Sequence, residues 1–133
     1  MKKIVVVSAT CLIALLVAGY LFFVSTGKPI GTDISLIGQG KPAIVLGYEN
    51  YSPAGGQALS LLRKVRSGYD TRLEFIVADL GTPRGREFAD RHQLQDGLAV
   101  FLDINGQPLQ VTRIPSQEIE LQRLLDSMLD SVE

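Results

Sequence analysis

The chain is predicted to fold as an α/β domain with a mixed sheet and helices on both faces, preceded by a long apolar N-terminal segment. Three observations point there. Apolar runs of five or six residues (Ala43–Gly47, Leu73–Ala78 and Leu98–Leu102) are separated by stretches of helical periodicity. Two of those stretches open on a hydroxyl residue followed by proline, Ser52-Pro53 and Thr82-Pro83. Asn105-Gly106, between two strand-like runs, is a strong two-residue hairpin signal.

With 133 residues the chain has room for one small domain. The segment Ile4–Ser25 carries no formal charge and follows Lys2 and Lys3. As a helix it would be about 33 Å long, close to the roughly 30 Å hydrocarbon core of a bilayer. The apolar region of a cleaved signal peptide is shorter, about 7–15 residues. An uncleaved transmembrane anchor over residues 1–27 is therefore expected. The small residues Ser25-Thr26-Gly27 supply the alternative, a cleavage site that would release a soluble exported protein. The leading lysines place the N-terminus in the cytoplasm and the domain outside, in the periplasm of a Gram-negative cell. Setting Lys2 and Lys3 aside leaves 11 basic against 14 acidic residues, which argues against nucleic acid as a partner. Cys11, within the apolar segment, is the only cysteine. The exported part can form no internal disulfide.

Residues 28–40 read as a linker whose apolar patch, Ile34–Ile37, suits an edge strand. Ala43–Gly47 is apolar on both faces, as in a strand buried inside a sheet. Ser52 is expected to cap the first helix of the domain with its hydroxyl, and Pro53 is preset for the first helical position. Ala58, Leu61, Leu62 and Val65 form one apolar stripe. Arg63, Lys64 and Arg66 close that helix where cations suit its dipole. Leu73–Ala78 is the second strand. A short helix follows from Thr82-Pro83 to about His92. Leu98–Leu102 and Leu109–Arg113 make the antiparallel hairpin. Pro115-Ser116 opens the last helix, whose stripe is Leu121, Leu124, Leu125, Met128, Leu129 and Val132. The order is β-α-β-α-β-β-α, four or five strands in all, over residues 41–133. Right-handed crossovers join the first strands.

From Lys41 to Met128 this order resembles the thioredoxin-like superfamily. Lys41-Pro42 is similar to the GKP before the first strand of many members, including membrane-tethered ones of the cytochrome-maturation type. Asp103-Ile104-Asn105-Gly106 resembles the family's D-x-x-G hairpin. In active members a Trp-Cys-Gly-Pro-Cys motif starts the corresponding helix. The matching positions here are Tyr51, Ser52, Pro53, Ala54 and Gly55, without either cysteine. Disulfide exchange needs a thiolate to attack sulfur, which a serine hydroxyl does not do. The family's cis-proline falls at Gly97, in Asp96-Gly97, where a trans bond is expected because non-proline cis bonds cost about 2.5–4 kcal/mol. Leu46 stands where many thioredoxins bury an acid. Three parts of the redox machinery are missing together.

Other chemistry finds little support. Ser52 and His92 would have to meet across different helices, and no G-x-S-x-G elbow is present. His92 with Asp90 and Asp96 lacks zinc-ligand spacing. Arg84, Arg86 and Arg91 read as a solvated helix face. No catalytic residue, metal or cofactor is expected. The expectation is a redox-inactive module, tethered to the membrane through residues 4–25, that docks a protein partner in the envelope through Tyr48–Ala54 and Asp96-Gly97. The alternative is a thiol-ligand binder of glutathione type using Ser52 or Tyr51.

Overall fold

The computed structural model describes residues 2–25 and 29–132. Thr26 and Gly27 of the alternative cleavage site, and Lys28 at the head of the expected linker, lie outside the described residues. Lys2–Ser25 forms one helix, α1. Large apolar side chains along it, including Leu12, Leu15, Leu16 and Tyr20, are exposed. Among the described residues, no helix is long and apolar enough to cross a membrane. The membrane-crossing helix expected at Ile4–Ser25 is thus not found, and an uncovered apolar helix occupies its place.

The remaining elements follow the expected order. They are β1 (Ala43–Tyr48), α2 (Pro53–Val65), β2 (Glu74–Asp79), α3 (Pro83–His92), β3 (Leu98–Leu102), β4 (Pro108–Arg113) and α4 (Glu118–Val132). The four strands lie in the order β2-β1-β3-β4. β1 and β2 pair in parallel, while β1 with β3 and β3 with β4 pair antiparallel. The antiparallel half thus begins one strand earlier than the hairpin alone implied. The loop before β3 explains why. Gly97 N–H donates to Gly47 O at the end of β1, 2.9 Å, so β3 starts where β1 stops and must run back against it.

Period-two alternation divides the core. Ile44, Leu46, Phe75, Val77, Ala99 and Phe101 pack with the apolar stripes of α2 and α4. Their neighbours Ala43, Val45, Ile76, Ala78, Val100 and Leu102 pack with Phe88 and Ala89 of α3. Leu46, fully buried, gains the roughly 1.5–3 kcal/mol of a covered leucine at a place where an acid would need a partner.

Two local expectations change. Ile34–Leu36 forms a 3₁₀ turn capped by Asp33, not an edge strand. The pairing falls instead at Gly31, which bridges Ile76 and accepts a hydrogen bond from Val77 N–H at 2.9 Å. Ile30 is buried, and Ile34 and Ile37 lean on the α3-side core. These residues cover the outer edge of β2. The β3–β4 hairpin is also longer than a two-residue Asn-Gly turn. Asp103 N–H donates to Gln107 O, and Asp103 Oδ1 accepts from the N–H groups of Asn105 and Gln107. Only Gly106 of the Asn-Gly pair has a positive φ. The carboxylate of Asp103 therefore sets the turn, and the extra residue appears as a register shift at Phe101/Leu102.

Tyr69, beyond the end of α2, ties α4 to this layer. Its partly buried hydroxyl donates to Asp126 Oδ1 at 2.8 Å and lies 3.2 Å from Gln122 O. Burial, reinforced by the Asp126 carboxylate, pushes the phenol's pKa up to about 12. The fold thus favours neutral Tyr69. That contribution is complete below the unfolded pKa near 10 and is lost as pH rises toward 12. Tyr69→Phe is expected to cost about 1 kcal/mol at pH 7, and the gap to the unsubstituted protein should narrow above pH 10. Urea titrations from pH 7 to 11.5 measure it. A gap constant with pH would refute the assignment.

Candidate functional site

β1 ends at Tyr48, whose carbonyl accepts from Leu80 N–H at 2.9 Å. The chain then turns over Glu49–Ser52, closed by Ser52 N–H to Glu49 O at 3.2 Å. Tyr51, third in that turn, has φ 77 and is 97% exposed. A bulky residue in that region carries strain of about 1–3 kcal/mol. Tyr48 is partly buried against the core, so of the two tyrosines only Tyr51 is presented outward.

Ser52 is the N-cap of α2 and Pro53 its first residue, as expected, but the Ser52 hydroxyl makes no capping hydrogen bond. Asp96 caps the helix instead. Its Oδ2 accepts from Gly55 N–H at 2.9 Å, and its Oδ1 accepts from Glu49 N–H at 2.7 Å. The carboxylate thus sits at the positive end of α2 and staples the preceding turn to it. The first turn of α2 holds no acid of its own. Gly55 leaves room for this arrangement, because a Cβ at that position would overlap Asp96 Oδ1 and force the carboxylate to move. The start of α2 at Gly55 is therefore closed by an internal anion.

Gly97 follows a trans peptide bond, since no cis bond occurs among the described residues. Its φ of 81 favours glycine, and its N–H is committed to Gly47 O, a bond that proline has no hydrogen to make. A Cβ at Gly97 would come 3.4 Å from Ala54 Cβ. The structure thus brings Tyr51, Ser52, Pro53, Ala54 and Gly55 together with Asp96 and Gly97. An open groove of about 500 Å³ starts beside Ala54 and Gly97. It runs along α2 past Gln57, Leu61 and Lys64, with Arg113–Ser116 as its other wall.

Other candidates stay apart from this site. α2 and α3 cover opposite faces of the sheet, so Ser52 and His92 do not meet. His92 is not a free surface residue. Its ring lies against Phe88, 4.4 Å between centroids and tilted by 42°, and partial burial, then Arg91, lowers its pKa. Arg86 Nε donates to Leu80 O at 3.1 Å, and Arg91 lies over the Phe88 ring. Among the described residues, no three His, Cys, Asp or Glu side chains gather as a metal site. The capping role of Asp96 was missed because the sequence offered a nearer acceptor in Ser52. The hint was a helix start, Ala54-Gly55-Gly56, with no local acid.

No protein-family model matches the chain, and no curated protein matches it in sequence. Solved structures do match. An uncharacterized thioredoxin-like protein from Clostridium perfringens superposes with a TM-score of 0.65 at 16% identity, over 77% of this chain and 82% of its own. The protein Trxlp of Edwardsiella tarda gives 0.61 at 14%, over 72% and 97%. Fasciola hepatica thioredoxin gives 0.57 at 13%, over 68% and 84%. The chain has a thioredoxin-like fold.

Asp96→Ala should lower stability by about 2 kcal/mol, measured by urea unfolding, because two backbone donors lose a charged acceptor. Gly55→Cys should destabilise when Asp96 is present and cost much less in the Asp96→Ala background. The cycle would give a coupling of about 1–3 kcal/mol. Additive effects would show that Asp96 does not exclude a side chain at Gly55.

Proposed function

We propose that the domain is a redox-inactive thioredoxin-like module that works by contact, docking a protein partner of the cell envelope through Tyr51 and the groove beside Ala54 and Gly97. The observation that carries this reading is the Asp96 carboxylate bridging Glu49 N–H and Gly55 N–H. The position matched to the second motif cysteine, Gly55, is held against a carboxylate of the chain itself. Tyr51 supports the contact role, since an exposed aromatic held in a strained turn serves no packing purpose in the domain.

In this reading α1 is the tether. The uncharged stretch Ile4–Ser25 behind Lys2 and Lys3 supports a single pass through the cytoplasmic membrane, with the domain in the periplasm. Its exposed leucines fit a lipid surround. Cleavage near residue 25 would instead leave a soluble exported module. The competing reading is a glutathione-type thiol ligand held by hydrogen bond to Ser52 or Tyr51.

The test is affinity purification of the full chain from detergent-solubilised membranes. The unsubstituted protein should recover a stoichiometric partner. Tyr51→Gly should lose it while gaining about 1 kcal/mol of stability, because glycine relieves the positive φ. Recovery of no partner, or an unchanged partner with Tyr51→Gly, would overturn the proposal. Glutathione binding that disappears in Ser52→Ala would favour the thiol-ligand reading. Insulin reduction should show no activity.

A further inference from the structure

We infer that the groove along α2 holds an extended acidic segment of the partner protein, with Arg113 and Lys64 each facing a carboxylate. This rests on the reading of the domain as a protein-binding module and names the chemistry of what it binds.

The groove has the shape of an extended chain. Its α2 wall is the stripe Ala54, Gln57, Leu61 and Lys64, spaced three or four residues apart, which runs from the first turn of the helix to the last. Ten residues of helix span about 15 Å. An extended peptide covers that distance in about five residues. The groove begins at Ala54, three residues after the exposed Tyr51.

Charge selects the occupant. Lys64 enters from the end of α2. Arg113 enters from the end of β4, where it pairs with Leu98, the residue after Gly97. Among the described residues, no acid lines the groove, and neither cation has an ion-pair partner. The domain outside α1 is otherwise net acidic. A groove lined by uncompensated cations on an acidic domain attracts carboxylates and repels basic segments. The remaining polar lining, Gln57, Ser60 and Ser116, offers neutral hydrogen-bonding groups to a peptide backbone.

The test is zero-length carbodiimide cross-linking of the full chain with its partner in solubilised membranes. The reagent joins an amine directly to a carboxylate, so Lys64 reports on its own neighbour. Mass spectrometry should find Lys64 Nζ in an amide bond to an Asp or Glu of another protein. Lys64→Arg should abolish that cross-link while keeping the partner. Lys64→Glu with Arg113→Glu should reduce recovered partner at least tenfold with an unchanged unfolding midpoint. The inference is overturned if Lys64 forms no such bond while the partner is recovered and remains sensitive to Tyr51→Gly; the docking role then stands without it. It is overturned in favour of self-association if mixed heavy- and light-labelled chains cross-link to each other through Lys64. Glutathione binding lost on the double reversal, with no cross-link, overturns it in favour of a small ligand. If no partner is recovered, both readings fall.

Discussion

The Asp96 carboxylate, shared between Glu49 N–H and Gly55 N–H, is the constraint around which the rest of the site is arranged. A helix start leaves backbone donors without partners, and their alignment concentrates positive potential there. Something must answer that potential. The fold answers it with a side chain from the loop before β3. One residue thereby fixes the entry to α2, the turn after β1 and the position of the β3 loop. The adjoining bond from Gly97 N–H to Gly47 O holds the same loop to the sheet. The two interactions are independent in chemistry and reinforce each other in geometry.

Much of the fold was readable along the chain. The apolar runs at Ala43, Leu73 and Leu98 became β1, β2 and β3, because strands covered on both faces need continuous apolarity. Pro53 and Pro83 each begin a helix, and the stripes on α2 and α4 are the faces that they bury. What the pattern could not supply was pairing direction. A buried strand reads the same whether its neighbour is parallel or antiparallel. β3 was set by the Gly97–Gly47 bond, a contact between distant parts of the chain. The hairpin shows a second limit. Asn105-Gly106 is a real turn signal, yet Asp103 organises a larger loop around it through two hydrogen bonds.

The site was readable as a set of positions and unreadable as an interaction. Counting along the chain brought Tyr51–Gly55 and Asp96-Gly97 to one place, and the fold puts them together. The capping role went to Ser52 because local rules reward the nearest hydroxyl. The structure gives it to Asp96, 41 residues beyond Gly55. Non-local caps leave no periodic trace. The same reasoning applies to residues 29–37, polar enough to look like a linker but laid against β2 through Ile30 and Gly31.

The residues at this site also depend on one another. Gly55 is required by Asp96, since any side chain there meets the carboxylate. Asp96 is required in turn by a helix start that has no acid of its own. A side chain at Gly55 thus has to displace the carboxylate that caps α2. Each of these residues is explained by stability. Tyr51 is not. It spends roughly 1–3 kcal/mol on a backbone conformation that glycine would adopt freely, and it buries almost nothing. Against a total stability of about 5–15 kcal/mol that is a considerable cost for a side chain the domain does not use. Strain kept at this rim, beside a groove whose two cations have no ion-pair partner among the described residues, fits the proposed role of a surface held ready for another molecule.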